Sequence, residues 1–132
     1  MIDRLTSSFF HICDHGDDLA TRFYGELFEK YPAVRRMFPQ DMAAQKQKLI
    51  DTLEWVVVNL KNPKAVQSAL AELGARHQAY GAAATHYPLV RDSLLHQMGA
   101  VSGEQWSQTL ENDWRTALDL ISRHMLAAYK PE

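Results

Sequence analysis

The chain has 132 residues, 46% of them hydrophobic, with 14 basic and 16 acidic side chains and a formal charge of -2. That is the size of one domain, residues 1–132, with length enough for a real core. With no basic cluster denser than Arg35-Arg36, the charge balance argues against nucleic acid as a partner. The longest aliphatic and aromatic run, 55–58, is far short of the roughly 20 residues that span a bilayer. The lone Cys13 cannot close an internal disulfide, and Met1-Ile-Asp-Arg-Leu lacks the basic-then-apolar order of a signal peptide, so a reducing, cytoplasmic setting is expected.

In chain order, Ile2, Leu5, Phe9 and Ile12 stripe a first helix over 2–13. Acids in the turn 14–18 can accept from the free amides of a second helix, about 18–30, whose apolar face carries Ala20, Tyr24, Leu27 and Phe28. The phenol of Tyr24 therefore heads inward. Tyr31-Pro32 ends that helix and starts a short helical turn, 32–37, and Phe38-Pro39-Gln40-Asp41 makes the next corner. A long helix follows over about 41–61, with a seam of Met42, Gln45, Leu49, Leu53, Val56, Val57 and Leu60. Gln45 is the one polar member.

Asn62-Pro63 closes that helix and opens another, which reaches about Ala79 before Gly81 stops it. Its seam is Val66, Leu70, Leu73, His77 and Tyr80, so the His77 imidazole points where Leu or Val is expected. Tyr87-Pro88 starts a helix to about Val101. Ser102-Gly-Glu-Gln105 has the form of a capping box, which would begin the last helix there, striped by Trp106, Leu110, Trp114, Leu118, Ile121, Met125 and Tyr129. No alternating run competes, so the chain is read as all-α, with six or seven helices. Its proline corners favour irregular packing over an up-and-down bundle.

Tyr24, Gln45 and His77 are three polar residues on the inward faces of three helices. A buried imidazole can be a core histidine bonded to a carbonyl, or a metal ligand. There is no Cys pair and no His-Glu-x-x-His helix for zinc, and no Gly-x-Ser-x-Gly elbow for acyl chemistry. A single histidine suffices as a metal ligand only where the cofactor brings the other donors, as a porphyrin brings four nitrogens to iron. His86 lies past a helix end and reads as a surface or capping residue.

Three blocks carry a resemblance that spacing alone does not supply. They are Phe23-Tyr24-x-x-Leu27-Phe28-x-x-x-Pro32-x-Val34-Arg35-x-x-Phe38, then Gln45-x-x-Lys48-Leu49, then Leu73-Gly-x-Arg-His77-x-x-Tyr80-Gly81 continuing to His86-Tyr87-Pro88-x-Val90. In order and spacing the chain resembles the bacterial single-domain haemoglobins and the globin domain of flavohaemoglobins. The resemblance implies a globin fold around a pocket for haem b, iron protoporphyrin IX. It implies His77 as the proximal ligand, Tyr24 and Gln45 as the distal pair, and Phe38, Leu49 and Val90 against the porphyrin. Lys48 and Arg76 are candidate propionate partners, or ordinary solvated charges.

In flavohaemoglobins a glutamate on the last helix joins a tyrosine, matched here by Tyr87, in bonding the proximal histidine. The position aligned with that glutamate is Tyr129. A carboxylate there would push electron density onto the iron, so its replacement weakens the oxidative reading. The expected function is reversible binding of dioxygen and other diatomic ligands, for storage or delivery. The alternative is nitric oxide dioxygenase activity with Tyr24 and Gln45 as catalytic residues. Because the chain stops at Glu132 without a flavin domain, that activity is expected to need a separate reductase. Monomer and homodimer both stay open.

Overall fold

The computed structural model describes residues 2–131. Six α-helices follow one another: α1 (Ile2–Cys13), α2 (Gly16–Lys30), α3 (Ala43–Val58), α4 (Pro63–Ala79), α5 (His86–Ser102) and α6 (Gln108–Ala127). Short 3-10 helices lie at Pro32–Met37 and Gly103–Gln105. No strand occurs among the described residues.

Local chemistry sets most boundaries. Pro63 opens α4, and Gly81, at φ +98, takes the left-handed turn that other residues resist. The Asp41 carboxylate accepts from the Ala43 amide at 3.0 Å and shortens α3 to a start two residues later than expected. The capping box expected at Ser102 does not form. Ser102 is still helical, its buried hydroxyl has no partner among the described residues, and Gly103 at φ +57 turns the chain out of the helix. Ser107 is the cap instead, accepting from the Leu110 amide at 3.1 Å.

The main core gathers Leu5, Phe9 and Ile12 of α1, Leu19, Phe23 and Leu27 of α2, Leu94, Leu95 and Met98 of α5, and Trp114 and Leu118 of α6. The Trp114 indole N–H donates to the Ser8 hydroxyl at 2.9 Å, so a polar atom deep in the α1–α6 contact is satisfied. A second, smaller cluster joins Val56 of α3, Val66 and Leu70 of α4 and Met125 of α6.

Helices α4 and α6 form the most extensive interface, and Gly74 permits its closeness. A Cβ at that position would lie 2.1 Å from the Met125 carbonyl oxygen and 2.6 Å from its Cα, both backbone atoms with little freedom to yield. Gly74→Ala is therefore expected to destabilise the fold by about 3 kcal/mol through overpacking. In urea this appears as a lower midpoint at unchanged slope. An unchanged midpoint would mean that α6 shifts freely.

Candidate functional site

Helices α3 and α4 are neighbours in sequence, yet they do not pack along their lengths. Their seams are buried where the two helices approach the 59–62 turn: Leu53, Val56 and Val57 on α3, Val66 and Leu70 on α4. Away from the turn the same seams are only half-buried, at Met42 just before α3, at Gln45 and Leu49 on α3, and at Leu73 and His77 on α4. Two apolar stripes that meet at one end and stay uncovered at the other bound a wedge.

On the α3 side an aromatic group surrounds Tyr24, which is 5% exposed. Its ring lies 5.7 Å from that of Phe28 and 5.5 Å from that of Phe38, and the two phenylalanines are 5.3 Å apart, in tilted or edge-on arrangements. The Gln45 side-chain amide donates to the Tyr24 hydroxyl at 3.3 Å. Because Tyr24 accepts that bond, its own proton is free for another acceptor. Burial raises its pKa, opposed in part by the Gln45 bond, so the phenol stays a donor at neutral pH.

The corner holding Phe38 is fixed by a residue quoted only as part of the sequence motif. The Arg35 guanidinium donates to the carbonyls of Phe38 (3.2 Å), Pro39 (2.9 Å) and Gln40 (3.1 Å), and it lies 5.0 Å from the centre of the Phe28 ring. One fixed cation thus gathers three carbonyls that no helix satisfies.

On the α4 side, His77 Nδ1 lies 2.9 Å from the Leu73 carbonyl oxygen. A carbonyl can only accept, so Nδ1 carries the proton, and in the neutral ring Nε2 keeps its lone pair. Among the described residues Nε2 has no hydrogen-bond partner. Burial lowers the His77 pKa, the Leu73 bond works against that, and Arg76 adds to it, so the ring is neutral at pH 7. Tyr80, expected on the same seam, is instead 65% exposed, because α4 ends at Ala79 and the seam ends with it.

The remaining expected residues fall in three groups. Leu49 and Val90 are half-buried against the main core. Tyr87 joins the smaller cluster, and its hydroxyl is 2.9 Å from that of Tyr129. Lys48 and Arg76 are exposed. His86 is the first residue of α5, and its Nδ1 accepts from the Ala83 amide in the preceding loop at 2.9 Å rather than capping the helix.

This is an all-helical chain with two proton donors on one side of an apolar wedge and a bare imidazole nitrogen on the helix opposite. A family model described as Globin matches residues 21–125, and the chain belongs to the globin family. It is 25% identical over 114 residues to a protein described as Flavohemoprotein, from Halalkalibacterium halodurans. That match takes in 84% of this chain but 28% of the relative, so the chain spans little over a quarter of that protein's length.

A bacterial globin from Campylobacter jejuni superposes with a TM-score of 0.85 at 22% identity, covering 96% of this chain and 92% of its own, which shows the fold. An engineered carbene transferase of Rhodothermus marinus, described as a nitric oxide dioxygenase candidate, superposes at 0.82 with 28% identity, covering 92% of this chain and 85% of its own.

Globins bind haem, and the residues present fit that group. No group of three or more His, Cys, Asp or Glu side chains that could hold a metal ion occurs among the described residues. An iron held through one imidazole therefore needs its other donors from a macrocycle. Phe38, Met42, Leu49, Leu73 and Val90 are each half-buried and apolar, side chains of the kind a flat apolar ring would need. No helix among the described residues is long and apolar enough to cross a membrane.

Proposed function

We propose that the chain holds haem b between α3 and α4 through His77 and binds dioxygen and other diatomic ligands reversibly. The observation that carries this reading is the His77 ring: its Nδ1 proton is committed to the Leu73 carbonyl at 2.9 Å, and its Nε2 lone pair has no other described partner. When bound, haem would supply an iron centre able to take a small diatomic ligand. His77 ties the iron to α4, and the Leu73 carbonyl holds the imidazole in the tautomer that leaves Nε2 basic. Phe38, Leu49 and Val90 keep water from the ring and lower the local dielectric. Tyr24 turns its free proton toward the incoming ligand, and Gln45 holds the phenol in place. Lys48 and Arg76, both exposed, are positioned by this reading as partners for the propionates.

A second reading, nitric oxide dioxygenase activity with a separate reductase, is supported by the same Tyr24–Gln45 donor pair and by the kinds of protein the chain is similar to. The proximal side favours the first reading. A carbonyl, not a carboxylate, accepts the His77 proton, so the imidazole lacks the electron push that oxidative chemistry uses.

The two are separated by supplying purified, haem-loaded protein with dioxygen, nitric oxide and a flavin reductase. Binding as the main role predicts a spectrum that cycles with dioxygen pressure and nitric oxide consumption that slows after the first few equivalents. Sustained consumption over hundreds of turnovers would assign the enzyme instead.

A further inference from the structure

Four hydrogen bonds fasten the residues just past α6 to the segment behind His77. The Tyr129 hydroxyl donates to the Ala82 carbonyl at 2.8 Å and lies 2.9 Å from the Tyr87 hydroxyl. The Gln78 side chain donates to the Lys130 carbonyl at 2.7 Å and accepts the Lys130 amide at 2.9 Å.

Counting protons fixes the direction of each bond. A phenol has one hydrogen, and that of Tyr129 goes to a carbonyl that can only accept, so Tyr87 is the donor in the tyrosine pair. Its proton is then spent on Tyr129 and is not available to His77, whose own Nδ1 proton goes to Leu73. The tyrosines therefore do not set the charge of the imidazole. They act on the backbone: the Ala82 amide donates to the His77 carbonyl at 3.0 Å, so the residue whose carbonyl Tyr129 grips is itself bonded, through its amide, to the His77 main chain. Residues 81–84 are Gly and three Ala, with no large side chain to anchor the loop by packing. Gln78, covalently next to His77, is held from the other side.

We propose that Tyr129, with Gln78 and Lys130, is a positioning clasp that fixes the His77 main chain and so the direction of its Nε2 lone pair. This rests on His77 as the iron ligand. In the haem-loaded full chain, Tyr129→Phe removes the bond to Ala82 and leaves the Tyr87 proton without an acceptor. Amide exchange across residues 80–87 is expected to speed up about tenfold. The ferrous iron–histidine stretching band, read by resonance Raman, is expected to shift or broaden. Tyr87→Phe leaves the Ala82 bond in place and should change both quantities much less.

If Tyr129→Phe does not fold, Gln78→Leu opens the other half of the clasp at the surface and should move both readouts in the same direction. Equal or larger effects from Tyr87→Phe, faster exchange with an unmoved band, or no change in either overturn the proposal. A wild-type protein without an iron–histidine band overturns the ligand assignment, and the positioning role with it, while exchange in the same samples still reports whether the clasp forms.

Discussion

The His77→Gly chain is expected to lose haem on gel filtration and to regain it when imidazole is added. Deleting the side chain removes the one nitrogen among the described residues of α4 that combines a bare lone pair with partial burial. Losing even the outer partner of a metal-bound histidine typically lowers metal affinity 10- to 100-fold, so losing the ligand itself is expected to cost more than about 100-fold in haem affinity. Glycine leaves a hole of imidazole size, and a free imidazole entering it brings back the nitrogen without the tether. Haem titrations followed by absorbance, with and without millimolar imidazole, make the comparison. Retention equal to wild type would move the ligand elsewhere.

Tyr24→Phe should release dioxygen faster by about 10- to 100-fold, the loss of one hydrogen bond to a partly charged acceptor in a dry site. The substitution keeps the ring and its contacts with Phe28 and Phe38 and removes only the hydroxyl. It also leaves the Gln45 amide without its acceptor, so the amide becomes free to turn toward the ligand and recover part of the loss. Stopped-flow release against a dioxygen scavenger measures the rate, and a rate equal to wild type would remove Tyr24 from the pocket.

Much of the helical order is legible because the chain marks its own breaks. Pro32 and Pro63 start new segments, Gly81 stops α4, and period-3.6 seams give each helix an inward face. The seams mark Tyr24, Gln45 and His77 as inward polar residues, the resemblance pairs the first two, and the structure joins them by a hydrogen bond at 3.3 Å. Tyr80 shows where a seam misleads: periodicity continues on paper past Ala79, whereas the helix does not. Ser102 and Ser107 show the limit of capping patterns, because the better match to the template is followed by a glycine whose positive φ ends the previous helix.

The bonds that hold the loops were not readable at all. Arg35 reaching three carbonyls and Tyr129 reaching Ala82 depend on segments brought together only by tertiary packing, and no local rule encodes such partners. Alignment with a family pattern marked position 129 as unusual. It took the geometry to show that its proton goes to the backbone.

The most direct measurement is a titration of haem-stripped protein with haem, followed by Soret absorbance together with tryptophan quenching. A haem seated between α3 and α4 and held by His77 predicts a sharp end point at one haem per chain and a ferrous spectrum characteristic of a single histidine ligand. No saturable uptake, or uptake with a spectrum that His77→Gly leaves unchanged, would contradict it.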